Sequence, residues 1–306
     1  MKIGRFHPPL QLIPGVLLLL ASGSAATMAR AQTNPPPAWG YDQSPINIDS
    51  RVPLIPGAPV FTDTAQLATP RAFNLKNTTG SHWCKDDKDC KGIVDQRWGA
   101  LKAYPVEDPI NPPPPVIEFG GAQYTLKEFH FHTPAEHLVD HLLVAMEMHL
   151  VFSKDGAASC SAGSLLVIGQ RFRIGAANAE LNKIFGPGVN LPPNYAAGPT
   201  EVKDISISRI LLGFPATISF RYPGSLTAPA EIKTGCEDDQ GNPDEQLRSG
   251  ILPEVVSWFL LTDIGTVSED QIARLRSLFP NGDARAPQPP NNANKAIRGA
   301  DSRKPN

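Results

Sequence analysis

Apolar and polar positions alternate through the middle of the chain, and the alternation predicts strands over Phe119–Phe131 and Leu142–Phe152. Ser164–Ile174 and Thr217–Tyr222, rich in β-branched and aromatic residues, predict two more. Gln43–Asp49 reads as extended, whereas Pro105–Pro115 carries too many prolines for a central strand. Helical spacing marks two segments. One is Ala176–Phe185; the other begins at Ser268, where Gln271 completes a capping box and Ile272, Leu275 and Phe279 follow at helical intervals. No internal repeat of roughly 20–50 residues stands out. The pattern predicts one domain, mainly β (α+β), with a central twisted, mostly antiparallel sheet and a few short peripheral helices.

The two central strands carry the candidate chemistry. Five of the seven histidines fall between His130 and His149: His130, His132, His137, His141 and His149. Side chains two apart on a strand share a face, so His130 and His132 project together while Phe129 and Phe131 point to the core. On the next strand Glu147, His149 and Val151 share a face, opposite Met146, Met148, Leu150 and Phe152. A carboxylate and an imidazole on so apolar a strand cost several kcal/mol to bury unless satisfied, and a metal with a supporting carboxylate satisfies both. Three neutral imidazoles from adjacent strands suit Zn²⁺ with a fourth, open position for water. The plain alternative is histidines on a solvated face.

Composition supports the fold and sets the compartment. With 32 prolines and 25 glycines in 306 residues, bundles and coiled coils are disfavoured. The 28 basic and 30 acidic residues form no basic stripe, so no nucleic-acid partner is expected. Residues 1–31 read as a signal peptide: Lys2 and Arg5 precede an apolar stretch over Leu10–Ala21, and Ala29-Arg30-Ala31 offers a cleavage site. An uncleaved anchor is the alternative, but Pro8, Pro9, Pro14 and Gly15 leave a short apolar core. Cleavage removes three basic residues and leaves a 275-residue, mildly acidic mature form with no membrane span, exported to a periplasm or outside the cell. Cys84, Cys90, Cys160 and Cys236 fit that oxidising setting and allow three pairings. Cys84–Cys90 and Cys160–Cys236 is favoured, because a short charged loop separates the first two. A cysteine zinc site lacks any C-x₂-C pair.

The run Glu128-Phe-His-Phe-His132-Thr-Pro-Ala-Glu136-His137, followed by Glu147-Met-His149-Leu-Val151, resembles the zinc-site signature of α-class carbonic anhydrases. Gln43-Ser-Pro-Ile-Asn-Ile48 resembles that family's N-terminal motif, and Tyr222-Pro-Gly-Ser-Leu-Thr-Ala-Pro229 its G-S-L-T-T-P segment. Weaker echoes are Glu254-Val-Val-Ser-Trp258 and Arg285-Ala-Pro-Gln-Pro289. The resemblance implies a catalytic domain over 32–298, with 231–252 an insertion loop and 299–306 a C-terminal tail. It implies reversible hydration of CO₂ to bicarbonate, with His130, His132 and His149 holding Zn²⁺. Glu147 would hold the free ring nitrogen of His149, and Glu128 would stand behind His130. Thr227 would orient the attacking hydroxide and donate to Glu136. Val151, Val167, Leu226 and Trp258 match the apolar pocket for CO₂, and sulfonamide inhibitors are expected.

Several positions depart from the family pattern. The shuttle histidine of the family follows an N-x-G motif, whereas here Asn77-Thr-Thr-Gly-Ser81-His82 is one residue out of register; His82 is the candidate proton shuttle against a plain loop histidine. Glu128 replaces a usual glutamine, and Ala228 a threonine. No cysteine precedes Gln43, so the family's usual extracellular disulfide is missing. Glu231–Leu252 reads as an inert loop, with a flap or a homodimer interface left open. Two other classes compete. A cupin would share His130-x-His132-x₃-Glu136 but needs a later histidine that Gly186-Pro-Gly188 lacks, and a catalytically silent binding module would be expected to lack a ligand.

Overall fold

The strand Ala122–His132 lies in the middle of a 12-stranded sheet, paired along its length with partners on both sides. The computed structural model describes residues 42–53, 55, 60–79, 99–157, 161–215, 218–228, 252–289 and 297–298. In chain order the elements are β1 (Asn47–Ile48), β2 (Phe61–Thr62), β3 (Arg71–Asn77), β4 (Leu101–Pro105), β5 (Val116–Phe119), β6 (Ala122–His132), β7 (Leu138–Val139), β8 (Met146–Lys154), β9 (Leu165–Ile174), α1 (Ala179–Phe185), β10 (Thr200–Ile205), β11 (Ser219–Gly224), β12 (Val256–Leu261), β13 (Gly265–Val267), α2 (Glu269–Leu278) and β14 (Ile297–Arg298). The sheet runs β10-β3-β4-β6-β8-β9-β12-β11-β14, with β5 also on β6, β2 on β5 and β13 on β9. Only the two pairings of β9 with β12 and β13 are parallel, so this sheet is mostly antiparallel, as expected. β1 and β7 form a separate parallel pair.

Both faces of the sheet are covered. One carries a large apolar cluster that includes Phe73, Leu101, Phe129, Phe131, Met148, Leu150, Ile168 and Phe259, closed by Ile272 and Leu275 of α2. The opposite face carries a smaller cluster around Val151, Val167, Phe220, Tyr222 and Trp258. Side-chain alternation therefore loads each strand on both sides, and the candidate polar groups lie beside the smaller cluster.

The structure moves several element boundaries. The single strand expected over Phe119–Phe131 is a hairpin, broken at Gly120 and Gly121 with φ of +60° and +76°. Alternation runs through this turn because both arms bury the same face, and glycine, with no Cβ, reaches such φ values at no steric cost. The strand expected from Leu142 begins at Met146, and Leu142 and Leu143 are exposed. α1 starts at Ala179 instead of Ala176 because the Asn178 side chain caps it, accepting from the amides of Glu180 and Leu181. The capping box at Ser268 and Gln271 is present. Of Gln43–Asp49, only Asn47–Ile48 is strand.

The described residues all fall within one compact unit. No helix among the described residues is long and apolar enough to cross a membrane. The signal-peptide reading of 1–31, His82, the four cysteines and their pairing, all but the last residue of Glu231–Leu252, and the tail 299–306 lie outside the described residues.

Candidate metal centre

A β-bulge decides which way the histidines face. The β6–β8 register jumps from Leu126 opposite Phe152 to Glu128 opposite Val151, leaving Lys127 as the extra, exposed residue. Tyr124 and Leu126 belong to the larger apolar cluster. Unbroken alternation would put Glu128, His130 and His132 on that same face; the bulge turns them to the other one. Register then sets His130 directly opposite His149, and His132 opposite Glu147.

The three imidazoles form a nearly equilateral set. Ring centroids are 4.9 Å apart for His130 and His132, 5.1 Å for His130 and His149, and 4.9 Å for His132 and His149. All three are buried, and one ring nitrogen of each lies within 4.8 Å of the others, a set able to hold a metal ion. The other nitrogen of each ring is occupied. His130 Nδ1 faces the Glu128 carboxylate at 2.9 and 3.0 Å, and His132 Nδ1 the Asp283 carbonyl at 3.3 Å. His149 Nε2 lies 2.7 Å from Glu147 Oε1. Donation to these acceptors leaves lone pairs on His130 Nε2, His132 Nε2 and His149 Nδ1.

Those lone pairs supply the test of fit. His130 Nε2 and His149 Nδ1 stand 3.2 Å apart, a separation that a shared proton or a metal ion bound by both satisfies. Tetrahedral zinc with nitrogen ligands calls for a separation of about 3.3 Å. His132 Nε2 and Glu136 Oε2 are sealed from solvent with no hydrogen-bond partner. The residues fit the ion. A second grouping, His137, Glu147 and His149, is also close enough to hold a metal, but its contacts of 2.6 and 2.7 Å are already consumed as hydrogen bonds.

Glu147 is the hub of the supporting network. It accepts from the amides of Glu136 (3.1 Å) and His137 (2.8 Å), and from the His137 and His149 rings. Burial alone would raise its pKa, but the His137 and His149 rings outweigh burial and hold the carboxyl well below its usual range. Burial likewise disfavours charge on His149, yet Glu147 wins and raises its pKa. His132 has no such carboxylate bond, and burial followed by the neighbouring His149 and His130 keeps it well below its ordinary value. The ring of His137 continues through Tyr222 Oη at 2.5 Å to Ser44.

Glu136 sits beneath the triad, with Oε2 3.5 Å from His132 Nε2 and 3.9 Å from His149 Nδ1. The Arg285 amide donates to its Oε1 at 2.7 Å, and the nearby Thr227 side chain favours its ionised form. Burial pushes Glu136 up to about 7. The anionic Glu128 is balanced by Lys102, whose Nζ lies 3.6 Å from it on the strand facing His130. Val151, Val167 and Trp258 are buried in the smaller cluster, with Leu226 packed against them, and the Trp258 ring lies 4.8 Å from that of His149.

Gly169, directly opposite His149 on β9, lets this network close. A Cβ there would stand 2.8 Å from Leu260 Cδ1 and 3.1 Å from Glu147 Oε1. Gly169→Ala is expected to cost about 1–3 kcal/mol by overpacking and to weaken zinc binding through displacement of Glu147. Thermal unfolding together with metal titration checks both effects, and unchanged zinc affinity would show that Glu147 does not depend on this gap.

The described site thus brings together every candidate ligand, supporting carboxylate and pocket residue read from the sequence. Sequence reasoning missed Asp283, Arg285, Ser44 and Lys102, and gave His137 and Tyr222 no role. Asp283 and Arg285 stand about 150 residues from the groups they hold; Asp283 carried no local signal, and Arg285 only opened a weak motif echo that assigned it no role. His137 carried one, as a histidine amid buried positions.

A mixed sheet that aims three imidazoles from two antiparallel strands at one point defines the class as a β-sheet protein with a site able to hold a metal ion. The sequence profile described as eukaryotic-type carbonic anhydrase matches residues 30–233, more than half of the chain, and the chain belongs to that family. It is 29% identical over 181 residues to alpha carbonic anhydrase 3 of Arabidopsis thaliana, covering 57% of this chain and 53% of that one. It is 34% identical over 113 residues to a carbonic anhydrase of Klebsiella pneumoniae, covering 37% and 42%. Aligned, the chain spans about half the length of these relatives. The fold matches that of the Photobacterium profundum alpha-carbonic anhydrase with a TM-score of 0.56 at 20% identity, over 86% of this chain and 91% of that one.

Proposed function

We propose that this chain hydrates CO₂ reversibly to bicarbonate and a proton, with Zn²⁺ held by His130, His132 and His149. The observation that carries the reading is the set of three inward-facing ring nitrogens, each with its opposite nitrogen engaged. The ion supplies Lewis acidity, which lets water ionise near neutral pH. The protein's own residues do the rest. In this reading Thr227 donates to the adjacent Glu136 carboxylate, so its hydroxyl oxygen is left to accept from the attacking oxygen and fix that oxygen's orientation. Glu136 is itself held by the Arg285 amide, which keeps Thr227 from rotating away. Val151, Val167, Leu226 and Trp258 offer an uncharged wall that suits CO₂ and holds anionic bicarbonate poorly, which favours product release. Glu128 and Glu147 fix the tautomers of His130 and His149.

The reading extends to the whole chain as an exported enzyme: a signal peptide over 1–31, a catalytic domain over 32–298, and disulfides Cys84–Cys90 and Cys160–Cys236. Mass mapping of non-reduced peptides checks the pairing. His82 is proposed to carry the product proton to solvent. His82→Ala is then expected to slow turnover about tenfold or more while small imidazole buffers restore it; an unchanged rate removes His82 from the mechanism. The central test is metal analysis with a CO₂ hydration assay. About one zinc per chain and turnover abolished by a chelator or an aromatic sulfonamide are expected. Tight zinc without turnover would make the chain a binding module instead.

A further inference from the structure

Arg171 is a buried cation that the proposed reaction does not use. It projects from β9 directly opposite Glu147 and is 2% exposed. Its Nε is sealed from solvent with no hydrogen-bond partner, and its guanidinium makes no hydrogen bond or ion pair with any described residue. Burial lowers its pKa, and attraction to Glu147 and Asp140 only partly offsets that. A guanidinium still remains charged at neutral pH, so a nearly unpaired positive charge sits inside the protein. Burying such a group without a partner is costly.

The same side chain lines an open groove of about 660 Å³. Leu142, Ile218, Phe220 and Ile264 make its walls apolar, and Thr262 and Asp140 add polar groups. We infer that this groove is an anion site, in which the Arg171 guanidinium receives a small monocarboxylate. The planar fork of a guanidinium matches a carboxylate through two parallel N–H···O bonds. Asp140 sets the charge limit. The Ser50 amide donates to it at 2.9 Å and helps to hold it ionised, so a dianion such as phosphate is repelled. The apolar walls favour a short hydrocarbon tail over a bare inorganic ion. The site lies beyond Glu147 from the triad and does not depend on the zinc reading.

The test is isothermal titration of butyrate and inorganic phosphate into the zinc-loaded full chain, as wild type and as Arg171→Met, with zinc content measured in both. Wild type is expected to bind one butyrate that the variant loses, or binds at least tenfold more weakly, and to bind phosphate at least tenfold more weakly than butyrate. Equal butyrate binding in the two proteins overturns the assignment. Butyrate held only at the triad metal gives that same equality, so it is not mistaken for support. If Arg171→Met does not fold, crystals of the wild type soaked in 4-bromobutyrate decide: a carboxylate in hydrogen-bond range of the Arg171 guanidinium, with the anomalous bromine peak in the groove, supports the site, and its absence overturns it.

Discussion

His149→Ala is expected to strip the chain of zinc, from about one ion per molecule to a small fraction of that, and to abolish CO₂ hydration with it. Removing a group that merely supports a ligand costs about 10–100-fold in metal affinity. His149 is proposed to be a ligand itself, so its loss should cost on the order of 10³-fold or more. The geometry explains why no neighbour substitutes. His137 is the nearest spare imidazole, but Glu147 and Tyr222 engage both of its nitrogens. Glu136 Oε2 lies 3.9 Å from His149 Nδ1, close enough to give a weak residual site and too far to replace the ring without rearrangement. The measurement is zinc per chain after dialysis, with unfolding followed in parallel to exclude simple loss of fold. Full zinc occupancy in the variant would falsify the ligand assignment.

The second large effect is on stability. Glu147→Ala leaves two imidazole N–H groups and two backbone amides without the acceptor they share. Glu147 is fully buried, so water does not simply take its place. Breaking a buried charged network on one side costs about 3–5 kcal/mol, because the partners stay behind unsatisfied. For a domain of this size that corresponds to a fall in melting temperature on the order of 10 °C. Glu147→Gln preserves volume and one acceptor oxygen, and should unfold closer to wild type while still losing about 10–100-fold in zinc affinity. A melting temperature for Glu147→Ala within a degree or two of wild type would mean that the network adds little to folding.

Much of this site was legible before any coordinates. Period-two alternation placed His130 and His132 on one face with Phe129 and Phe131 on the other, and the structure confirms both. The same rule paired Glu147 with His149 on an otherwise apolar strand. It also misled where alternation outlasts the element, as at Gly120 and Gly121, where a hairpin turns without changing the buried face.

The sequence by itself determined the local chemistry: which residue types stand two apart, where the capping box begins α2, and that a carboxylate shares a strand face with a histidine. These follow from the backbone's own periodicity, which acts over a few residues. Only the tertiary structure decided which face the histidines meet, because the bulge at Lys127 reverses it, and which distant groups hold them. Asp283, Arg285 and Lys102 reach the site through strand pairing and chain return, and no local pattern encodes such long-range contacts. Arg171 shows the same limit: on the strand it is one polar residue among others, and only the packing around it makes it a buried charge without a partner.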